Sequence, residues 1–235
     1  MNITWFKLKQ KLKKIKILYV PVKAYKDWNY KRDNERKRQL LQENGLEITS
    51  KISKVLDNSG IEYFFTYGTL LGLIRNGGFM KHDIDLDLGV IKTEEFSWNK
   101  LNSLLTNAGF KQLHEFSLDG EVTEQTYEYK GMTIDFFIYE KENEHMISYV
   151  YFNKKGIVNE DPTKKFVSKM ISSQIKEFKY LEINNQKYRI PVNAEQYLAD
   201  IYSESWRIPN PNWVSEEGPA WNELEGKYGI YKEIK

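Results

Sequence analysis

The chain has no cysteine, which excludes a disulfide framework, a thiolate metal site and a cysteine nucleophile together. Histidine is nearly missing too. His82, His114 and His145 are dispersed with no metal-ligand spacing, so no zinc centre is expected. No uninterrupted apolar run is long enough to span a bilayer, and lysines break up any signal-peptide core near the start. The net charge of +2 is too small for the chain as a whole to be a nucleic-acid binder. Long Pro- or Gly-rich linkers are absent as well, so the 235 residues read as one domain with extensions rather than two tethered ones.

What is present supports a globular domain. Hydrophobic residues make up 40% and charged residues 29%, enough apolar material for a sizeable core. Tyrosine and tryptophan are plentiful; packing is their commoner duty, and a sugar-binding groove is the alternative.

The richest stretch runs from Tyr67 to Gly89. In its second half acid and aliphatic residues alternate with the period of a β-strand, so Asp83, Asp85 and Asp87 share one face and Ile84, Leu86 and Leu88 the other. Like charges a few Å apart repel by roughly 1 kcal/mol even in water, so this row needs a counter-charge, and a divalent cation is the simplest. An acidic edge strand is one rival reading. An EF-hand loop is another, but it requires glycine where Leu88 stands.

Just upstream, the β-prone segment Ile61–Tyr67 runs into Gly68-Thr69 and then Arg75. A strand ending in glycine and a hydroxyl residue at a helix start presents free N–H groups suited to a phosphate, and Arg75 offers a fork of donors. Downstream, Thr133-Ile134-Asp135-Phe136-Phe137 is an apolar strand carrying a single acid. A lone carboxylate there is costly unless paired or bound to metal, which makes Asp135 the third candidate acid.

The order Gly68-Thr69-Leu70-Leu71-Gly72, Arg75, Gly78-Phe79, His82-Asp83-Ile84-Asp85-Leu86-Asp87-Leu88-Gly89 resembles the signature of the LicD-type phosphotransferases, relatives of fukutin and fukutin-related protein in the nucleotidyltransferase superfamily. The likeness continues through Pro191, Tyr197-Leu198, Tyr202, Trp206 and Pro209, with Ser203 where the family commonly has glycine. It extends from about Leu40 to Pro211. The family often has Trp-Asp-Asp-Asp where this chain has His82-Asp83-Ile84-Asp85. Which two of the three acids are the principal metal ligands therefore stays open, with Asp85 and Asp87 favoured.

The resemblance implies an α/β fold: a nucleotidyltransferase-like mixed, twisted β-sheet flanked by helices, with additional β-hairpins. It also implies transfer of a phospho-alcohol, phosphocholine or a polyol phosphate, from a CDP-activated donor such as CDP-choline or CDP-ribitol. The acceptor would be a hydroxyl of a cell-surface glycan or glycolipid, as in capsule, teichoic acid or lipopolysaccharide. On this reading Asp85, Asp87 and Asp135 are catalytic, and together with Asp83 they hold Mg²⁺ or Mn²⁺. Tyr67, Gly68, Thr69, Arg75, His82 and Asp83 meet the substrate. Asp135 or Asp83 is the candidate base; His82 either contacts substrate or steadies Asp83. A glycosyltransferase using an Asp-x-Asp motif and a nucleotide sugar is the second enzyme reading, and a catalytically silent glycan-binding module the third.

Other segments are read as follows. Residues 1–38 form a basic, helical N-terminal extension, 39–211 the catalytic domain and 212–235 a docked tail carrying Trp213 and Trp221. Helix is expected over Asn29–Asn58, with Gly45 a possible break, and again from Thr93 to Gly109. Strands are expected over Phe110–Phe116, Thr123–Tyr129 and Met132–Tyr139. Hairpins then follow at His145–Phe152 with Ile157-Val158, and at Phe178–Ile183 with Tyr188–Ile190. In the extension, Leu8, Leu12, Ile15 and Tyr19 share a stripe among lysines, with Trp5 and Phe6 beside them. That pattern suits peripheral contact with an anionic membrane from the cytoplasmic side, a solvated helix being the rival. Deleting about the first twenty residues should abolish co-sedimentation with anionic liposomes; undiminished binding would rule the contact out.

Overall fold

The computed structural model describes residues 16–154, 156, 157 and 159–234. Residues 1–15 of the basic extension therefore lie outside the described residues, as does part of the strand expected at Ile157-Val158. Helix α1, Lys16–Leu56, runs unbroken through Gly45. The glycine serves a close approach instead of a break: a Cβ there would sit 2.5 Å from the Phe79 ring. Leu41, Ile48, Ile52 and Leu56 recur at helical spacing and are fully buried, fixing the face that α1 turns to the core.

Strand β1 (Tyr63–Phe65) leads into α2 (Tyr67–Asn76), and β2 covers Asp85–Ile91. The strand thus begins two residues later than its alternation suggests, leaving Asp83 in the segment just before it. Helix α3 spans Trp98–Asn107. Its cap is Ser97, whose hydroxyl accepts from the Lys100 amide at 3.2 Å, and not Thr93; Glu94 and Glu95 form a turn. Strands β3 (Lys111–Leu118), β4 (Glu121–Tyr129) and β5 (Met132–Glu142) follow as a meander. Both of its turns, Asp119-Gly120 and Lys130-Gly131, have positive φ at each central residue, as tight hairpins need.

The chain continues with β6 (His145–Phe152), β7 (Lys164–Ser173), the hairpin β8 (Phe178–Ile183) and β9 (Gln186–Pro191), and helix α4 (Ala194–Tyr202). The last segment, Trp221–Glu233, is strand β10 and lies between β3 and β7, so the tail docks by completing the sheet. Strand order is β1-β2-β5-β4-β3-β10-β7-β6, and a further pairing of β6 with the end of β5 closes six of the strands on themselves. Within this sheet only β2 and β5 run parallel.

That parallel pair is central. Leu86, Leu88 and Val90 of β2, level with Ile134, Phe136 and Ile138 of β5, form one buried apolar face. On the opposite face α2 and α4 close over a hydroxyl triangle. Thr66 Oγ1 lies 2.8 Å from Tyr139 Oη and 2.6 Å from Tyr197 Oη, and the two phenols are 2.6 Å apart. Every member of this buried triangle has partners, which offsets the cost of burying three hydroxyls.

Ser203 ends α4 with φ 79° and ψ 168°, a conformation that belongs almost wholly to glycine and costs a side chain about 1–3 kcal/mol. The hydroxyl recovers a contact, with Ser205 Oγ at 2.9 Å. We expect Ser203→Gly to stabilise the chain by about 1 kcal/mol, a rise of roughly 2–4 °C in melting temperature. A lower melting temperature would show that the hydroxyl contact outweighs the strain.

Candidate active site

The β1–α2 connection fixes the position of Asp87. The Thr66 amide donates to the Asp87 carbonyl at 3.1 Å, and the Asp87 amide donates to Thr69 Oγ1 at 2.9 Å. Gly68 sits between them. A Cβ on Gly68 would lie 3.5 Å from Asp87 Oδ2 and 3.9 Å from Asp83 Oδ1, so the glycine keeps open the space beside both carboxylates. Tyr67 adopts φ 40° at the turn; its hydroxyl is 2.7 Å from Ser148 Oγ and its ring stands edge-on to Phe137.

Asp85 and Asp87 project from the same face of β2, and Asp87 is the direct register partner of Asp135 on β5. One strand further on, Thr126 pairs with Asp135 and donates its hydroxyl to Oδ1 at 2.5 Å. Asp83 completes the group from the preceding turn, where its Oδ2 accepts from the Met80 amide at 3.1 Å. All four aspartates are half-buried. The exposed His82 ring stands 3.9 Å from Asp83 Oδ1.

Such crowding is electrostatically expensive. Burial, then Asp85, Asp135 and Asp83, hold the Asp87 carboxyl well above the usual range. Burial raises Asp85 also, against the pull of Lys37. Asp83 is pushed up to about 7 by burial and by Asp85, against the Met80 amide and Arg75. Asp135 reaches about 7 through burial and Asp85, opposed by Thr126 and Lys37. A bound divalent cation would reverse these shifts by supplying the missing positive charge. Among the described residues no three acidic or histidine side chains already stand in an arrangement that would hold an ion.

The structure therefore gathers Tyr67, Gly68, Thr69, His82, Asp83, Asp85, Asp87 and Asp135 into one place, with two qualifications. Thr69 is buried and its hydroxyl is engaged by Asp87, so it positions the strand. Arg75 uses three donors within the protein, to the Trp206 carbonyl, Met80 Sδ and Asn76 Oδ1, while its charge still reaches Asp83.

Two groups escaped the sequence reading. Lys37 of α1 acts electrostatically on Asp85 and Asp135, although its helix suggested no chemistry. Glu124 of β4 is 7% exposed and is held well above the usual carboxylate range by burial, then Asp135 and Asp87. One signal for it was available. Thr123-Glu124-Gln125-Thr126 is a polar run in a strand whose flanks read as core.

The family model "LicD/FKTN/FKRP, nucleotidyltransferase domain" matches residues 60–193. Ribitol-5-phosphate transferase FKTN of Homo sapiens and that of Macaca fascicularis are each 22% identical over 200 residues, covering 81% of this chain. The chain spans 39% of the length of those relatives. An uncharacterized protein, RT0683 of Rickettsia typhi, is 24% identical over 107 residues, 45% of this chain and 31% of that protein. Among solved structures, the crystal structure of ANT(2")-Ia in complex with adenylyl-2"-tobramycin superposes with a TM-score of 0.41 at 14% identity, covering 74% of this chain and 83% of that one.

The shifted acids generate a pH prediction. The folded chain keeps protons on Asp83 and Asp135 up to about pH 7, whereas the unfolded chain releases them near pH 4. The folded state thus binds more protons over that interval, and this contribution to stability is lost as pH rises through about 7. In chelator the melting temperature should fall between about pH 5 and about pH 8, by less in Asp135→Asn, and Mg²⁺ or Mn²⁺ should raise it more at the higher pH. Equal slopes in the two proteins would mean that Asp135 is not crowded.

Proposed function

The chain belongs to the LicD/FKTN/FKRP nucleotidyltransferase family, and we propose that it is a metal-dependent phosphotransferase. It would move a phospho-alcohol, phosphocholine or a polyol phosphate, from a CDP-activated donor to a hydroxyl of a cell-surface glycan. The observation that carries this reading is the parallel register of Asp87 and Asp135, with Asp85 on the same face and Gly68 keeping the adjoining space open. Residues that sequence alone places almost fifty positions apart meet at one point.

The donor set fits a hard cation. Asp83, Asp85, Asp87 and Asp135 offer only carboxylate oxygens, which suit Mg²⁺ or Mn²⁺ better than zinc. Such an ion, when bound, would neutralise charge on the donor's diphosphate as the bond to the leaving nucleotide weakens. The chain's own residues do the rest. Thr66 and Thr69 hold the Asp87 backbone in place. Thr126 occupies Asp135 Oδ1, leaving Oδ2 available. Asp135, through its unbonded Oδ2, would take the proton of the acceptor hydroxyl, and Asp83 is the second candidate for that role. Lys37 and the charge of Arg75 favour phosphate at the Asp83–Asp85 end, and Lys37 reaches Asp135 as well.

No described helix is long and apolar enough to cross a membrane. We place the enzyme at the cytoplasmic side, in peripheral contact with anionic lipid through its basic N-terminal segment, where a glycolipid acceptor is within reach.

The reading is tested by melting the protein against CDP-choline, CDP-glycerol, CDP-ribitol and UDP-sugars, each with and without Mg²⁺ or Mn²⁺. Ligand at about a hundred times its dissociation constant adds roughly 2.7 kcal/mol, several degrees for a chain of this size. One CDP-alcohol should give a metal-dependent shift, and Asp87→Asn or Asp85→Ala should then lower transfer by orders of magnitude while folding stays near normal. Shifts with UDP-sugars alone would move the assignment to a glycosyltransferase.

A further inference from the structure

The carboxylates do not form a uniform patch; they grade from a cationic end to an apolar one. At the Asp83–Asp85 end stand Arg75, whose charge acts on Asp83, and Lys37, whose charge acts on Asp85 and reaches Asp135 as well; Arg38 Nε reaches the His82 carbonyl. At the other end stands Glu124. The sheet register sets it beside Phe137 of β5 and Phe116 of β3, on the same face as Asp135 and one residue pair further along β4 than Thr126. Diagonal neighbours of this kind lie about 7–8 Å apart, within reach of a glutamate side chain.

Glu124 is 93% buried, since only 7% of its surface is exposed, yet its carboxyl accepts no hydrogen bond from any described residue. Its electrostatic neighbours are Asp135 and Asp87, and no cation acts on it. Around it are rings. Phe116 and Tyr151 are stacked at 4.7 Å, the Tyr151 hydroxyl bonds to Thr123, and the half-buried rings of His114 and Tyr231 adjoin Phe116. A phosphate is repelled from such a place. A neutral hydroxyl is not: it would give the carboxyl a hydrogen-bond partner, and the rings make its surroundings apolar.

We propose that Glu124 and the adjoining rings of Phe116 and Tyr151 form the acceptor side of the site, where Glu124 binds a hydroxyl of a neutral saccharide and sets it against Asp135. The proposal rests on the transfer reading above and adds a direction to it. Donor phosphates occupy the Lys37–Arg75 end, and the acceptor enters from β4.

The test uses the full chain and two probes: CMP with Mn²⁺ for the donor side, and methyl β-galactopyranoside, followed by saturation-transfer NMR in the presence of CMP and Mn²⁺, for the acceptor side. Glu124→Gln should weaken pyranoside binding at least fivefold while CMP–Mn²⁺ affinity stays within twofold of wild type; Lys37→Gln should show the opposite pattern. Glu124→Asp, which withdraws the carboxyl by one methylene, should also lose pyranoside affinity and serves if the glutamine variant melts at much lower temperature. Unchanged pyranoside binding in both Glu124 variants, no pyranoside signal with wild type, or a loss of bound Mn²⁺ in Glu124→Gln would each overturn the assignment. Failure of wild type to bind CMP with Mn²⁺ would instead overturn the transfer reading of the whole site.

Discussion

Repulsion among carboxylates gathered on one sheet face is the constraint around which this molecule is built. Asp85, Asp87 and Asp135 share that face, Asp83 joins them from the turn before β2 and Glu124 from β4. Left to themselves such groups would separate or take up protons, and the raised proton affinities report that tendency. The fold resists separation through the backbone, not through side-chain ion pairs. Thr66 and Thr69 bond the peptide groups on either side of the Asp87 side chain, and the β2–β5 ladder fixes Asp135 opposite. The hydroxyl triangle of Thr66, Tyr139 and Tyr197 anchors the same turn from behind. A site held this way keeps its carboxylates together although they repel one another.

Electrostatic asymmetry follows from where α1 crosses. Leu40 and Arg36 lie against the Lys130-Gly131 turn, close enough that a Cβ on Gly131 would be 3.1 Å from Leu40 Cδ1. That packing brings Lys37, on the adjacent helical position, toward the start of β2 and β5. The region before position 39 therefore contributes a charge to the site, and α1 crosses that point without interruption. The opposite end of the acid row gains rings in place of cations, because β3 and β6 supply Phe116 and Tyr151 there.

Local patterns made most of the architecture legible. The meander of β3, β4 and β5 was readable because Asp-Gly and Lys-Gly permit the positive φ values its turns adopt. Asp135 was readable because a lone acid among Ile134, Phe136 and Phe137 needs a reason. Several features were not, among them β7 (Lys164–Ser173), which takes the place beside β6 that Ile157-Val158 was expected to fill. The start of α3 at Ser97 instead of Thr93 depended on a choice between two adequate caps, which tertiary packing decides. The insertion of β10 between β3 and β7 is a long-range pairing with no local signature, since Trp221–Glu233 is polar on most of its length. Lys37 was invisible for a related reason, and Glu124 showed only as a member of a polar run: charged residues on a helix and in a hairpin strand are normally solvated, and only the three-dimensional register puts them beside Asp135.

The departure at His82-Asp83-Ile84-Asp85 acquires a physical meaning from the same register. Because β2 begins at Asp85, residue 84 lies before the strand and Asp83 is held by a turn bond to Met80, not by the ladder. Asp85 and Asp87 are fixed to the sheet, whereas Asp83 is fixed to the connection that also carries Met80, itself bonded to Arg75. Movement of that connection would carry Asp83 and the exposed His82 together without disturbing the pair on β2. The acids thus divide into a pair fixed by the sheet and a third fixed by the turn that precedes it.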